Sequence, residues 1–217
     1  MEARQNRAIS VPIVASRVDS GHGRAPICVS QSARRLMMTA RSIPRSALDT
    51  PRLRLRPTSA ADAKRAFEIQ NDWAVTRMLS NASYPPKENN IKDWFSSHEH
   101  EWAEGSAYRF AIEQGERTIG IVDVDGIVGS TGSLGYWLER ESWGKGYAFE
   151  AAQALIGFVF NEAGLSRLES GHASDNPVSG RVLSRLGFRQ VGNRELFSRA
   201  RRETIIQCCY VLERQAP

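Results

Sequence analysis

The stretch Trp143 to Ala151 reads WGKGYAFEA and separates two segments of opposite character. Before it, Ser133–Leu138 (SLGYWL) is short and apolar, as a buried strand would be. After it, Phe149, Ala152, Ile156, Val159, Phe160 and Ala163 recur at the three-to-four spacing of an amphipathic helix, and Gly164 suits its end. Glycines flank Lys145, so the backbone can turn from extended to helical within a few residues. A helix that opens on glycine has no side-chain cap. Its first N–H groups and the positive end of its dipole are left for an anion. Two readings stay open: a cradle for a phosphate or pyrophosphate, or a tight connection with no ligand. A nucleotide P-loop is excluded, because Lys145 precedes Gly146 and no Ser or Thr follows. A dinucleotide fingerprint is excluded as well, because Phe149 stands where the third glycine belongs.

The other elements set this juncture in a mixed α/β order. RLRLR (Arg52–Arg56) alternates as a strand and Pro57 closes it; Ser59 with Asp62 forms a capping-box pattern ahead of the helical ADAKRAFEIQND. A second helix is predicted over Asn89–Ala103, and strands over Tyr108–Glu113, Thr118–Asp125 and Ser133–Leu138. After the helix of the juncture comes a strand in LSRLESGHAS. Asn176 and Pro177 then read as N-cap and first turn of a helix with Val178, Val182 and Leu186 inward. Strands around Arg189–Phe197 and Thr204–Leu212 end the chain.

Charge and cysteine content narrow the classes of function. Eight arginines fall within residues 1–47 against only Glu2 and Asp19, whereas the remainder is nearly balanced, with 21 basic and 22 acidic residues. The net charge of +5 therefore belongs to the tail, and a nucleic-acid partner is not expected for the rest. Residues 1–47 are expected to be a disordered Arg/Ser-rich tail. They fit a transit peptide, a solvated basic tail, or sequence upstream of a true start at Met37 or Met38. No apolar run approaches the length of a membrane helix, and the cysteines show no CxxC metal spacing, so a cytoplasmic protein without metal or membrane partner is expected.

The run LGYWLERESWGKGYAFEAAQALIGFVF, followed some thirty residues on by NPVSGRVLSRLGF, resembles the GCN5-related N-acetyltransferase (GNAT) superfamily. Together with the opening TPRLRLRPTSAADA it resembles most the RimJ/RimL-type branch, the ribosomal-protein N-terminal acetyltransferases. The resemblance implies an N-acetyltransferase domain over residues 48–217. The implied fold is α/β: a mixed, mostly antiparallel central sheet of about seven strands, flanked by helices and splayed in the middle to admit acetyl-CoA. It implies a loop over Trp143, Gly144, Lys145, Gly146, Tyr147 and Ala148 that binds acetyl-CoA, the cosubstrate, with the backbone amides of Gly144, Gly146, Tyr147 and Ala148 on its pyrophosphate; Lys145 reads as a phosphate contact or equally as a solvated loop charge. Tyr136 and Leu138 would line its pantetheine arm through their backbones, with the Leu138 N–H polarising the thioester carbonyl.

Asn176 would hold the arm, and Ser179 would protonate or hydrogen-bond the leaving thiolate; capping alone also explains Asn176, and Ser179 reads equally as a first-turn hydroxyl without a chemical role. The general base stays open among Glu139, Asp123, Asp125, His172 and bulk water. Trp73, Trp94 and Trp102 read as core, or as walls of an acceptor pocket. SRARRE (Ser198–Glu203) reads as a solvated basic turn. The acceptor would be a small-molecule or peptide amine, the protein a monomer or homodimer, and transfer direct. The alternative of another class is a non-catalytic acyl-CoA-binding sensor module.

Overall fold

Alternation of apolar residues on β-strands buries both faces of the central strands, and the helices divide between those faces. The computed structural model describes residues 43–215. The strands are β1 (Leu48–Asp49), β2 (Arg54–Pro57), β3 (Tyr108–Gln114), β4 (Arg117–Val128), β5 (Thr131–Leu138), β6 (Arg167–Ala173), β7 (Arg189–Ser198) and β8 (Glu203–Glu213). The helices are α1 (Ala63–Gln70), α2 (Trp73–Thr76), α3 (Glu88–Glu104), α4 (Tyr147–Asn161) and α5 (Pro177–Arg185). All eight strands form one sheet in the order β1-β2-β3-β4-β5-β6-β8-β7, antiparallel except for the β5–β6 pair. The strand beyond the expected seven is β1, whose two residues pair Leu48 with Leu55 and are too few to show alternation.

Residues 107–112 are buried without interruption because successive side chains enter opposite layers. Phe110 and Val122 join Leu155, Phe158 and Val159 of α4, while Ala111 and Ile121 join Ala63 and Ala66 of α1 and Ile91 and Phe95 of α3. Phe158 lies 5.4 Å from the ring of Tyr108, 5.6 Å from Phe110 and 5.8 Å from Trp102. Trp102 is therefore core; Trp73 is 41% exposed and packs on Tyr84. Trp102 Nε1 donates to the Ile43 carbonyl and Arg45 donates to that of Thr58, so residues 43–47 pack on the domain rather than belonging to a tail. The reading made of residues 1–42 falls outside the described residues.

Two helix faces differ from the sequence reading. On α4 the buried stripe runs through Ala151, Ala152, Leu155, Phe158 and Val159, while Ile156 and Phe160 are half-buried. On α5, Val178 is 55% exposed and the buried residues are Gly180 and Leu183. Gly180 carries no hydrophobic signal, which displaced the expected stripe. Among the described residues, no helix is long and apolar enough to cross a membrane.

Candidate active site

The parallel seam between β5 and β6 is short. Thr131, Gly132 and Ser133 pair with Arg167, Leu168 and Glu169, and there the pairing stops, although β5 continues to Leu138 and β6 to Ala173. Within the gap, Ser170 Oγ donates to the Leu134 carbonyl at 2.9 Å. On its other edge β5 pairs with β4, and the Glu139 N–H donates to the Ile119 carbonyl at 2.8 Å just past the ladder. Antiparallel pairs alternate between bonded and unbonded, so the backbones of Trp137 and Gly135 face β4 and those of Leu138, Tyr136 and Leu134 face the gap. Trp143 Nε1 takes the Leu138 carbonyl at 3.0 Å. The N–H groups of Tyr136 and Leu138 remain, and buried backbone donors require partners.

From Leu138 the chain passes through a short 3₁₀ turn, Arg140–Ser142, into the glycine turn. Gly144 has φ 73° and Gly146 φ 81°, conformations that a β-carbon disfavours. Gly146 is the N-cap of α4, without a side-chain cap, and the first intrahelical bond runs from Glu150 N–H to Gly146 O at 3.1 Å. The N–H groups of Tyr147, Ala148 and Phe149 therefore have no partner within the helix. Trp143, Gly144 and Lys145 are exposed on the same turn, so the residues expected to act together are brought together.

Arg52, Thr50 and Glu150 were not picked out by the sequence reading. Glu150 Oε1 accepts from Thr50 Oγ1 at 2.7 Å and from the Arg52 N–H at 2.9 Å; Arg52 Nε donates to Oε2 at 2.7 Å and Nη1 to the Lys145 carbonyl at 2.9 Å. About a hundred residues of sequence separate the partners, so no local pattern announces them.

On the far side of the gap, Asn176 caps α5, its side chain accepting from Ser179 N–H at 3.4 Å. Ser179 Oγ shares a hydrogen bond of 2.7 Å with the Tyr136 hydroxyl, so Tyr136 spans the gap with its side chain as well as lining it. Burial pushes the Tyr136 phenol up to about 12.

The four carboxylate and histidine candidates differ in surroundings. Glu139 is clamped by Arg65, by Arg117 at 2.6 Å and by Ser142 at 3.0 Å, which leaves its oxygens occupied. His172 lies against Ala173 O at 2.8 Å and Tyr210 OH at 3.5 Å. Asp125 is 45% exposed in its side chain and pairs with Arg109 at 3.4 Å. Asp123 stands opposite Arg109 on β3 and Gly135 on β5, hence on the sheet face that α1 and α3 cover. A β-carbon at Gly135 would lie 2.5 Å from Asp123 Oδ1, so the carboxylate rests directly over the strand that borders the gap. Burial and the Asp125 charge push Asp123 up to about 7, against the pull of Arg109 at 3.7 Å. Arg109 also pairs with Glu101, and its Nε lacks a hydrogen-bond partner. Nearby, His98 is buried and pushed down to about 3 by burial and the charges of Arg109 and Arg45.

Within the SRARRE segment Arg199, Arg202 and Glu203 are exposed, as a solvated turn would be, but Arg201 is not. Arg201 grips Asp175 with two bonds of 2.9 Å and donates to the Arg77 carbonyl at 2.8 Å, so it fastens the β7–β8 turn to the loop before Asn176 and to the segment after α2.

A sheet opened beside an uncapped, glycine-headed helix, with β5 leading from one into the other, is the arrangement that the resemblance to the acetyltransferase class implies. Residues 52–189 match the family model described as Acetyltransferase (GNAT) domain, and the chain belongs to that family. A curated relative, the uncharacterized N-acetyltransferase p20 of Bacillus licheniformis, is 31% identical over 149 residues, covering 67% of this chain and 83% of its own. Among solved structures, the ribosomal L7/L12 alpha-N-protein acetyltransferase RimL in complex with coenzyme A superposes with a TM-score of 0.70 at 17% identity, covering 77% of this chain and 98% of RimL. The microcin C7 self-immunity acetyltransferase MccE, in complex with acetyl-CoA and AMP, superposes with a TM-score of 0.67 at 18% identity over 76% of this chain and 94% of MccE.

Proposed function

We propose that this protein moves the acetyl group of acetyl-CoA onto a primary amine, that of a protein N-terminus or a small molecule, by direct transfer in a ternary complex. The observation that carries this reading is the continuity of β5. The same strand lends a free backbone edge to the gap and then turns, through Trp143–Gly146, into the open end of α4. One run of chain thus offers amide donors to an extended amide-bearing arm and, next to them, an anion site for the pyrophosphate joined to that arm. Family membership and the coenzyme complexes among the structural relatives support it.

Acetyl-CoA supplies the acetyl group as a thioester. We assign the N–H groups of Gly144, Gly146, Tyr147 and Ala148 to its pyrophosphate, with Trp143 and Lys145 at the rim, and the Leu138 backbone and Asn176 side chain to its arm. Ser179 is assigned to the sulfur, which it hydrogen-bonds and protonates as the C–S bond breaks, its own proton being replaced from solvent through the Tyr136 hydroxyl 2.7 Å away. Tyr136 meets Ser179 directly, while Leu138 lies two residues, roughly 7 Å, nearer the cradle. We therefore move the polarising N–H from Leu138 to Tyr136.

Asp123 is assigned the amine proton, released as the N–C bond forms; reach through one water suffices for this role. β6 separates Cys209 from the gap, and burial raises its thiol, which favours direct attack over an acetyl-cysteine.

The test is free-thiol release from acetyl-CoA by purified protein against a panel of amines and N-terminal peptides. Release that depends on one acceptor class is expected and names the substrate. Tight acetyl-CoA binding without release against any acceptor would favour the sensor module.

A further inference from the structure

We propose that Arg52 is a positioning residue for the phosphate cradle: it neutralises Glu150 in the first turn of α4 and anchors the Lys145 carbonyl, so that the turn presents only donors to an anion. The inference rests on the acetyl-CoA reading above. Glu150 is the fourth residue of α4, a place where a carboxylate suits the helix dipole but competes with any anion bound at the same helix end. Its side chain is only 14% exposed, so solvent screens it weakly.

Burial alone would raise the Glu150 carboxyl. The hydrogen bonds from Thr50 and Arg52, with the charge of Arg52, outweigh burial and hold it below its ordinary value, hence ionised. Arg52 Nη2 lies 2.6 Å from Glu150 Oε2, and the guanidinium stacks 4.8 Å above the Tyr147 ring. The same group reaches the turn itself. Nη1 holds the carbonyl of Lys145, the residue between the two left-handed glycines, and a β-carbon on Gly146 would meet Nη2 at 3.4 Å. The guanidinium thus backs the turn while Lys145 O is drawn away from the ligand side. Fixing those dihedrals in advance removes part of the ordering cost of binding.

This arrangement separates two ways in which Arg52 could matter. If Arg52 merely pinned the N-terminal segment to α4, its loss would lower stability, and deleting the Glu150 charge as well would not help. If its task is to silence that charge, the second deletion repairs the first.

The experiment is calorimetric titration of CoA into wild type, Arg52→Ala, Glu150→Gln and the double variant, with thermal unfolding alongside. Arg52→Gln, which keeps most of the stem over Tyr147, replaces Arg52→Ala if the latter fails to fold. The expected result is a rise in Kd of at least about tenfold for Arg52→Ala, or for Arg52→Gln used in its place, and recovery of at least threefold when Glu150→Gln is added. An arginine variant that is folded and within twofold of wild type overturns the proposal. So does a double variant no tighter than the single. Failure of the wild type to bind CoA refutes instead the functional reading on which the proposal stands.

Discussion

Replacing Asp123 by Asn should make the enzyme slower and its fold more stable at alkaline pH. Replacing an ordinary ion-paired structural carboxylate would instead lower stability and leave the rate near that of the wild type, so the pairing is diagnostic. The folded-state value near 7 lies above the unfolded 3.8. A carboxyl raised in this way favours folding below its unfolded value, and that contribution is lost as pH rises towards the folded value. A shift of this size corresponds to roughly 4 kcal/mol between pH 3 and pH 8, at about 1.4 kcal/mol for each tenfold change.

Part of that sum is shared with Asp125, so the variant should gain about 2 to 4 kcal/mol on wild type across that range, or roughly 5–10 °C in Tm. Arg109 keeps Glu101 and Asp125 as partners after the substitution. For the reaction, loss of a positioned base costs about 10² to 10⁴ in kcat. The wild-type rate should fall away below about pH 7 as Asp123 is protonated, and in the variant that limb should follow the amine alone. The assay is thiol release from pH 5 to 9, with urea unfolding at pH 4 and pH 8. A variant that keeps its rate within threefold, or whose stability relative to wild type does not improve with pH, would falsify the assignment.

Three further outcomes follow from the packing. Ser179→Ala should lower kcat about 10- to 100-fold with little change in acetyl-CoA affinity, because a hydrogen bond to a developing thiolate contributes about 1.5–3 kcal/mol; single-turnover kinetics with separate titration of acetyl-CoA would check it. Phe158→Ala should destabilise by about 3–5 kcal/mol, since its ring meets Trp102, Tyr108 and Phe110 in one cluster; denaturant unfolding reads this directly. Arg201→Ala should cost about 1 kcal/mol, because it unfastens the Asp175 staple; denaturant unfolding checks this too.

The parts of the fold legible in the sequence were those that local chemistry decides. Glycines around Lys145 mark the turn because only a residue without a β-carbon takes φ near 80° at little cost. Asn176 with Pro177 marks the start of α5 by capping alone. Periodicity succeeded less well where the buried position was a glycine, as with Gly180, and failed for a strand of two residues. What no local rule contains are contacts between distant segments. The Arg52–Glu150 pair, the Tyr136–Ser179 bridge and the Arg201–Asp175 staple join elements remote in sequence. The choice among Glu139, Asp123, Asp125 and His172 likewise depends on what each one meets, an arginine for the carboxylates and Tyr210 for His172, a matter of strand register rather than of residue type.

The three-residue seam between β5 and β6 has a consequence for the lifetime of the folded chain. Two half-sheets meet there through Thr131–Ser133 and Arg167–Glu169, with the Leu134 and Tyr136 bridges beyond. On the proposed reading, an extended ligand in the gap would act as a strand that the polypeptide does not encode, and its binding energy would add to cohesion across this short seam. By mass action, a ligand at a hundred times its Kd contributes about 2.7 kcal/mol. Turnover of the protein by proteases would then follow the supply of acetyl-CoA, and starvation for the metabolite would thin the population of the enzyme that spends it.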